Sequence, residues 1–310
     1  MLRLSPPRGE RLSGADRLDL TLGGAESNVA VALAALGVPA IWLGAVPGNE
    51  LGDRIVAELS ATGVNVSYVV RRDEGRLGLY FVELPVSPRP ALVLYDRRHS
   101  AATDMTEDDL ASGAFTDASH AVVSGITAAL KPHGASLARA FLARAGARGA
   151  RRILDINFRR QLWQPAEAAD TLAELAREAD VLVCSAEDAR TVFNIDEDNQ
   201  DITAALRELA PKASFVVVTL GERGAAAWAA ELGTFSAEPV PVELVDPFGA
   251  GDALVAGVIW AELEGQSPDR QLAAGVALAS LACTVRGDHG RFNAPALQAV
   301  LEGVSMKGLR

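Results

Sequence analysis

The feature that most constrains this fold is the regular alternation of short apolar segments with longer amphipathic ones. Residues 152–156, 181–184 and 214–219 have the length and the β-branched content of buried strands. Between them, residues 134–147 and 166–178 show helical periodicity. Strands that alternate with helices pair in parallel, so the pattern predicts an α/β chain with a central, mostly parallel sheet and helices on both faces. Ligands of such sheets bind at the carboxyl ends of the strands.

Composition narrows the class of protein. The chain has 310 residues, of which 49% are hydrophobic and 22% charged, which excludes a disordered chain and predicts a single domain over residues 1–310. The formal net charge of -11 argues against a general binder of nucleic acid or of anionic membranes, because both repel a negative surface.

Targeting signals and cysteine usage predict a cytoplasmic protein. The charged N-terminus shows no secretory signal, and Gly37-Val38-Pro39 interrupts the longest uncharged run, residues 27–49. Cys184 and Cys283 lie in apolar segments without a partner spacing, as expected in a reducing compartment. Neither a membrane span nor a cysteine-based metal site is predicted.

One region breaks the alternation. Residues 68–94 are strand-like throughout, and residues 77–83 and 91–95 read as a hairpin around residues 85–90. Residues 12–22 are expected to add another strand. Strands without helices indicate a small β excursion from residues 12–22 and 68–98 that serves as a lid or as a dimer clasp. Residues 40–43, closer to the N-terminus, are predicted to form a buried strand of the main fold.

The strongest chemical signal is the segment from Asp246 to Ala253, DPFGAGDA. Gly249, Ala250 and Gly251 open an apolar helix, so their backbone N–H groups can converge on an anion at a helix N-terminus. Asp252 would repel phosphates, but it suits a hydroxyl that must lose a proton as it attacks phosphorus. The alternative is a helix start with ordinary acidic capping.

Two other phosphate-binding motifs are excluded. The chain contains no G-x-x-x-x-G-K-[ST] motif, and position 254, where a dinucleotide fingerprint needs a third glycine, is Leu254.

A second signal lies near the N-terminus, in the sequence GGAESNVA. Gly23 and Gly24 permit close backbone approach to a ligand, and Asn28 can both donate to and accept from sugar hydroxyls. Taken alone, a glycine turn capped by Ser27 or Asn28 explains the segment better.

The two motifs together resemble those of the ribokinase-like (PfkB) sugar kinases, and the resemblance covers essentially the whole chain. It implies a three-layer ribokinase-like fold with a small β lid, the use of ATP and Mg²⁺, and a homodimer or higher homo-oligomer. By the same resemblance, Asp252 deprotonates the acceptor hydroxyl, and the backbone N–H groups of residues 249–252 stabilise the transferring phosphoryl group.

Three further segments are similar to the 2-keto-3-deoxygluconate kinase branch of that family: DINFRRQLW at 155–163, VRGDHG at 285–290 and LYDRR at 94–98. Its substrate carries a carboxylate, which a fixed Arg fork suits. Besides Gly23, Gly24 and Asn28, the expected sugar-binding residues are Tyr80, Tyr95, Arg97, Arg159 and Asp288, and Arg98 is an alternative to Arg97. A solvated surface charge is the alternative for each arginine.

The nucleotide site is assigned by resemblance as well. Asn157, Ser185, Thr219, Gly221 and Gly224 are expected to bind ATP. Relatives often carry N-x-x-E where this chain has Ser185-Ala186-Glu187-Asp188, so either Glu187 or Asp188 is expected to act on Mg²⁺, through water.

The resemblance gives a predicted function with alternatives. The expected reaction is ATP-dependent phosphorylation of the terminal hydroxyl of 2-keto-3-deoxygluconate. A fructokinase or ribokinase acting on a neutral sugar is one alternative, and a non-catalytic sugar-binding regulator on the same fold is another. Relatives begin with an additional strand ahead of the segment that matches Met1–Leu4, so a start at an internal methionine is also expected.

Overall fold

The computed structural model describes residues 1–196 and 201–303 as strands, helices and connecting turns. The strands in chain order are β1 (Leu2–Ser5), β2 (Asp19–Leu22), β3 (Ala45–Pro47), β4 (Val70–Arg72), β5 (Leu79–Glu83), β6 (Leu92–Asp96), β7 (His120–Ser124), β8 (Arg151–Asp155), β9 (Val181–Ser185), β10 (Phe215–Thr219), β11 (Ala225–Ala229) and β12 (Gly233–Ala237). The helices are α1 (Ala25–Ala35), α2 (Glu50–Ala61), α3 (Gly125–Ala128), α4 (Gly134–Ala147), α5 (Pro165–Ala176), α6 (Ala186–Phe193), α7 (Ile202–Leu209), α8 (Ala250–Leu263), α9 (Pro268–Ala282) and α10 (Ala294–Leu301).

The main sheet has the strand order β12-β11-β10-β9-β8-β7. Strands β7 to β10 pair in parallel, whereas β11 and β12 continue the sheet antiparallel as a hairpin. The predicted central, mostly parallel sheet is confirmed. Its parallel strands are joined through helices, as the alternation in the sequence requires.

Helices cover both faces of this sheet. Ile153 and Val181 point into a core shared with α1, α8 and α9, whereas their neighbours Leu154 and Leu182 point into a core shared with α4 and α5. Successive side chains of a strand face opposite sides, so strands that are apolar on both sides need both layers of helices.

The carboxyl ends of the parallel strands form one polar edge. Ser124 is paired with Asp155 in the sheet register, and Ser185 is paired with Thr219. The four residues end β7, β8, β9 and β10 respectively, where a parallel sheet places its ligands.

A second sheet, called the lid sheet below, has the order β2-β1-β5-β6. Its β5–β6 hairpin has the position that the sequence predicts, with Tyr80 opposite Tyr95. Other parts of the expected lid lie elsewhere. Leu12–Gly14 is a short 3-10 turn. Strand β4 pairs in parallel with β3 and not with the strands of the lid sheet. The remaining lid strand is β1, which pairs with β2 on one side and β5 on the other.

The predicted buried strand at 40–43 is wrong. Pairing in this region begins at Ala45, while Ile41 makes an isolated bridge to Asn65 and its side chain is 42% exposed. A short apolar run cannot by itself show which residues enter a ladder. Beside it, β3 and the edge strand β7 border an apolar space. The strand expected ahead of Met1 stays a prediction.

Helix α8 is the most deeply buried helix of the site. Gly249 precedes it in the left-handed region, with φ +80°, and every residue from Asp252 to Ala261 is buried. It packs between α1 and α9, which places its first turn beside the Gly-rich start of α1. Over residues 1–196 and 201–303, the helices are too short or too polar to cross a membrane.

Candidate active site

A cavity of about 1090 Å³ includes the space between the polar edge of the main sheet and the lid sheet and extends into the apolar space beside β3 and β7. Its walls come from both ends of the chain, because the starts of α1 and α8 meet there with β5 and β6 of the lid sheet. Most of the predicted site residues line it: Gly23, Gly24, Asn28, Tyr80, Tyr95, Arg97, Asn157, Arg159, Ser185, Glu187, Asp188, Thr219, Gly249, Ala250, Gly251, Asp252 and Asp288.

Asp252 lies in the first turn of α8, and its partner is Asn28 in the first turn of α1. The Asn28 Nδ2 donates to Asp252 Oδ2 over 2.7 Å, and both residues are buried. Burial raises the pKa of Asp252 well above its ordinary value, the Asn28 hydrogen bond opposes that shift, and the charges of Asp155 and Asp288 add to it. The carboxylate is therefore a stronger base than a solvated aspartate.

The two glycines ahead of Asp252 have different reasons for lacking a side chain. At Gly249 a Cβ would lie 1.6 Å from the carbonyl oxygen of Asp288, and φ is +80°. At Gly251 a Cβ would meet no protein atom within 4 Å. Protein packing therefore demands glycine at 249, whereas at 251 the space belongs to the cavity, where the helix N-terminus offers unpaired N–H groups.

Two stacked tyrosines form the lid side of the cavity. The ring centroids of Tyr80 and Tyr95 are 6.0 Å apart, and the Tyr80 hydroxyl donates to Asp288 Oδ2. Burial, with the neighbouring Asp288, raises the pKa of Tyr80 well above its ordinary value. A Cβ at Gly23 would lie 1.9 Å from the Tyr80 oxygen, so this glycine lets the phenol reach Asp288.

Arg97 is a cation of the cavity without a counter-ion among the described residues. Its Nε is buried without a hydrogen-bond partner, and it forms no ion pair with any residue of the described ranges. Burial lowers its pKa, while Tyr95 and Glu26 favour the charged form and Arg159 opposes it. Arg159 donates to the carbonyl of Phe158 over 3.2 Å. Two guanidinium groups thus face a polar cavity with unused donors.

A second group of acids lies at the carboxyl ends of β8 and β9. Asp155 Oδ2 accepts from Asn157 Nδ2 at 2.9 Å, and Asp188 Oδ2 accepts from the Phe158 backbone N–H at 3.2 Å. Burial raises the pKa of Asp155 to about 7, and burial also raises the pKa of Asp188. Asn157 has φ +36°, which is unusual for a residue with a side chain, and its Oδ1 is buried without a partner.

Within the described ranges, no three His, Cys, Asp or Glu side chains converge as metal ligands. The carboxylates present suit a hydrated Mg²⁺, which binds through one or two acids and keeps several waters. Asp188 is half-buried and held by the Phe158 loop, whereas Glu187 is exposed.

Gly221 and Gly224 do not line the cavity. They belong to the turn that joins β10 to β11, and a Cβ at Gly224 would lie 2.3 Å from the carbonyl oxygen of Ala237. That position has φ +82°, so the turn itself requires glycine. Thr219, at the end of β10, is the residue of this segment that lines the cavity.

Sequence reasoning missed several residues that the fold brings to the site. Glu26 Oε1 accepts from the Ser124 backbone at 3.0 Å and from the hydroxyls of Ser124 and Thr127, both at 2.7 Å. These bonds fix the start of α1 to the end of β7. The sequence signal for Glu26 was its position two residues ahead of Asn28. Arg3 and Asp246 were missed as well, because their partners are distant in sequence. Asp155 was missed although its hydrogen-bond partner Asn157 lies only two residues away.

Comparison with known proteins decides the family. A family model described as "pfkB family carbohydrate kinase" matches residues 3–293. The chain belongs to the pfkB family of carbohydrate kinases. As a carbohydrate kinase, it has the ribokinase-like fold that its sheet order shows.

Three similar proteins carry the names of 2-dehydro-3-deoxy sugar-acid kinases. The chain is 39% identical to the 2-dehydro-3-deoxygalactonokinase of Haloferax volcanii, over 98% of this chain and 94% of that one. It is 31% identical to the 2-dehydro-3-deoxygluconokinase of Thermoproteus tenax, over 88% and 83%. The crystal structure of the Thermotoga maritima 2-dehydro-3-deoxygluconokinase superposes with a TM-score of 0.87 at 30% identity, covering 98% of this chain and 97% of that one.

Proposed function

We propose that this carbohydrate kinase transfers the γ-phosphoryl group of ATP to the terminal hydroxyl of 2-keto-3-deoxygluconate, giving the 6-phosphate. The observation that carries this proposal is Arg97, a half-buried side chain whose buried Nε has no hydrogen-bond partner and which has no counter-ion in the described ranges, in the same cavity as the buried Asp252. A carboxylate substrate supplies the missing anion, and a neutral sugar does not. The names of the relatives point to the same substrate class.

Asp252, Asn28 and the start of α8 have different roles in the proposed reaction. Asp252 takes the proton of the attacking hydroxyl, aided by the raised pKa that burial gives its carboxylate. Asn28 orients that carboxylate through Nδ2 and keeps its unpaired Oδ1 for a substrate hydroxyl. The backbone N–H groups at the start of α8 stabilise the negative charge on the transferring phosphoryl group. The alternative is a kinase of neutral sugars in which Asp252 is the same base.

The far side of the cavity suits the nucleotide. Asn157, Ser185 and Thr219 line it at the carboxyl ends of three adjacent strands. Mg²⁺, when bound with ATP, neutralises phosphate charge and positions the γ-phosphoryl group. We assign its water shell to Asp188 rather than Glu187, because the Phe158 loop holds the Asp188 carboxylate in the cavity. A 20% identical neighbour of the same fold was crystallised in complex with ATP and Mg²⁺.

The galactonate epimer is the second candidate substrate. It is favoured by the 39% identity to the Haloferax volcanii enzyme over nearly the whole chain. The two acids differ at one hydroxyl, and both carry the carboxylate and the terminal hydroxyl that the site addresses.

A substrate panel tests the function. The purified protein is incubated with ATP and Mg²⁺ and, in parallel, with 2-keto-3-deoxygluconate, 2-keto-3-deoxygalactonate, fructose and ribose. We expect kcat/KM for a keto-deoxy acid to exceed that for either neutral sugar, and Arg97→Met to lower the acid value at least about tenfold with little effect on the sugars. Turnover of fructose or ribose equal to that of both acids contradicts the proposal, and no turnover of any substrate favours a non-catalytic role.

We also propose a homodimer joined through the lid sheet. Leu20, Leu4, Phe81 and Leu94 occupy one register row across its four strands. The side chains of Leu20 and Leu94 are 40% and 49% exposed, on the face opposite the Tyr80–Tyr95 pair. A continuous apolar row at the surface is typical of an interface between protein chains.

We place the reaction in the cytoplasm, since both cysteines are free thiols.

A further inference from the structure

We infer that Arg3 is a positioning residue of the proposed reaction, which fixes both the loop ahead of Asp252 and the sugar-facing Tyr80. This inference rests on the proposed function for its kinetic consequences, but its structural part can be tested without any substrate.

Arg3 lies at the centre of a buried ionic cluster. Its side chain is 2% exposed, its Nη1 donates to Asp288 Oδ1 at 2.7 Å, and its Nη2 donates to Asp246 Oδ2 at 2.8 Å. The Nε donates to the Ser5 hydroxyl at 2.9 Å. Although burial disfavours the cation, the two carboxylates raise the pKa of Arg3, so it stays charged. A guanidinium can hold two carboxylates at fixed angles, which an ammonium cannot.

Through Asp246, the cluster reaches the loop from Asp246 to Asp252, called the anion loop here. Asp246 Oδ1 accepts from the Phe248 backbone N–H at 3.1 Å, and its Oδ2 accepts from the Gly287 N–H at 3.0 Å. The Arg3 guanidinium also lies over the Phe248 ring, 5.1 Å from its centroid. Arg3 therefore holds the start of the loop whose end presents the base.

Through Asp288, the same cluster reaches the sugar side of the cavity. Asp288 Oδ2 accepts from the Tyr80 hydroxyl, and the Asp288 carbonyl packs against Gly249. Both Asp288 oxygens thus have protein partners, so in this structure the residue holds Tyr80 in addition to the sugar-facing role expected for it. Since Arg3 belongs to β1 and Tyr80 to β5, the cluster joins the lid sheet to the anion loop.

Two variants and a matched control test the structural part by hydrogen–deuterium exchange. Arg3→Met removes the charge at similar volume, and Arg3→Lys keeps the charge but reaches only one carboxylate at hydrogen-bond distance. The control is Arg286→Met, which also removes a link between β2 and the 286–290 segment, because Arg286 pairs with Asp19 at 3.1 Å on the surface.

We expect both Arg3 variants to speed exchange at residues 246–252 and 286–290, while strands β9 and β10 keep wild-type rates. The Arg286→Met protein should keep the wild-type rate at residues 246–252, which Arg286 does not contact. Unchanged exchange in the anion loop of folded Arg3→Lys or Arg3→Met overturns the inference. If Arg3→Met fails to fold, Arg3→Lys decides the matter.

Kinetics test the consequence, with Asp288→Asn as the third variant. In the native background, Arg3→Met should lower kcat/KM for the keto-deoxy acid at least about tenfold while KM for ATP changes less than about threefold. In the Asp288→Asn background the same change should cost measurably less than in the native background, because only the Arg3–Asp246 link to the anion loop is then left to lose.

Equal losses in the two backgrounds show that Arg3 acts independently of Asp288 and overturn its positioning of Tyr80. If the wild-type protein phosphorylates none of the substrates while the exchange results hold, the proposed function fails and the structural link stands.

Discussion

Asn28 and Asp252, 224 residues apart in the chain, are joined by a 2.7 Å hydrogen bond at the point where the first turns of α1 and α8 meet. The bond links the residue that the sequence assigns to the sugar with the residue that it assigns to catalysis. It makes the basicity of Asp252 depend on Asn28, because an amide donor stabilises the charged form of a carboxylate.

The base assignment predicts the behaviour of Asp252→Asn. We expect kcat to fall by about 10²- to 10⁴-fold, because general base catalysis is lost, while calorimetry still detects binding of the sugar acid. Asp269→Asn is the control, since Asp269 occupies the first turn of α9 at the surface. A near-normal kcat for Asp252→Asn would show that another group takes the proton.

The Asn28 bond predicts a change in the pH dependence of turnover. The base must be ionised, so kcat/KM falls as the pH drops through the raised pKa of Asp252. In Asn28→Leu the carboxylate loses a donor that favours its charged form, so its pKa rises further and the acid limb moves to higher pH. Asn49→Leu, which removes a surface helix cap, should leave the limb in place. An acid limb at an unchanged pH in Asn28→Leu contradicts this coupling.

The two glycines of the anion loop predict opposite results for the same substitution. Gly249→Ala should lower the melting temperature, because φ is positive and the new Cβ meets the Asp288 carbonyl. Gly251→Ala should fold at least as well as the wild type, since alanine favours a helix by about 1 kcal/mol, yet lose turnover because the methyl enters the cavity. Full activity of Gly251→Ala would remove this part of the cavity from the phosphoryl site.

Asp155 predicts that stability depends on pH. Its folded pKa is raised to about 7, so above that pH the folded protein must hold a charge that the unfolded chain carries at no cost. Its contribution to stability is present at low pH and is lost as the pH rises through 7. Asp155→Asn should therefore melt about 2 °C or more above the wild type at about pH 8.5, and the gap should shrink at about pH 5.

The control for that experiment has the opposite sign. Although burial acts against it, the Arg152 hydrogen bonds lower the pKa of Asp180, so Asp180→Asn should melt below the wild type at alkaline pH. If Asp155→Asn and Asp180→Asn shift the melting temperature in the same direction, burial of the Asp155 charge is not what limits stability.

The lid row predicts the oligomeric state. Sedimentation should give the wild type a mass of twice 32.4 kDa, and Leu94→Lys should reduce it to one chain by placing a charge in the apolar interface. Leu232→Lys changes a leucine of similar exposure on the β11–β12 turn and should leave the dimer intact. A dimeric Leu94→Lys protein would move the interface elsewhere.

The sequence predicted the features that leave a local trace. The alternation from residue 120 onward predicted the parallel sheet, because the hydrophobic periodicity of a strand or a helix can be recognised in a short stretch of consecutive residues. The Gly-rich segments before Asn28 and Asp252 predicted where two helices start. The hairpin of β5 and β6 was visible for the same reason.

Contacts between distant segments left no such trace. Arg3 meets Asp246 and Asp288 over separations of 243 and 285 residues, which no periodicity reports. The pairing of β4 with β3 depends on how the loop after α2 returns, and the strand expected at 40–43 failed because apolar character alone does not define a ladder. The nucleotide role expected by resemblance for Gly221 and Gly224 stays a prediction, although the turn at Gly224 requires glycine by itself.

The meeting of α1 with α8 sets a condition on synthesis. Every strand of the main sheet has been translated by the end of β12, but Asp252, Gly249 and Asp288 follow it. A polypeptide released before α8 therefore lacks the proposed base and the two helices, α8 and α9, that fill one side of the core. We expect truncated messages to yield inert protein rather than an enzyme with altered specificity.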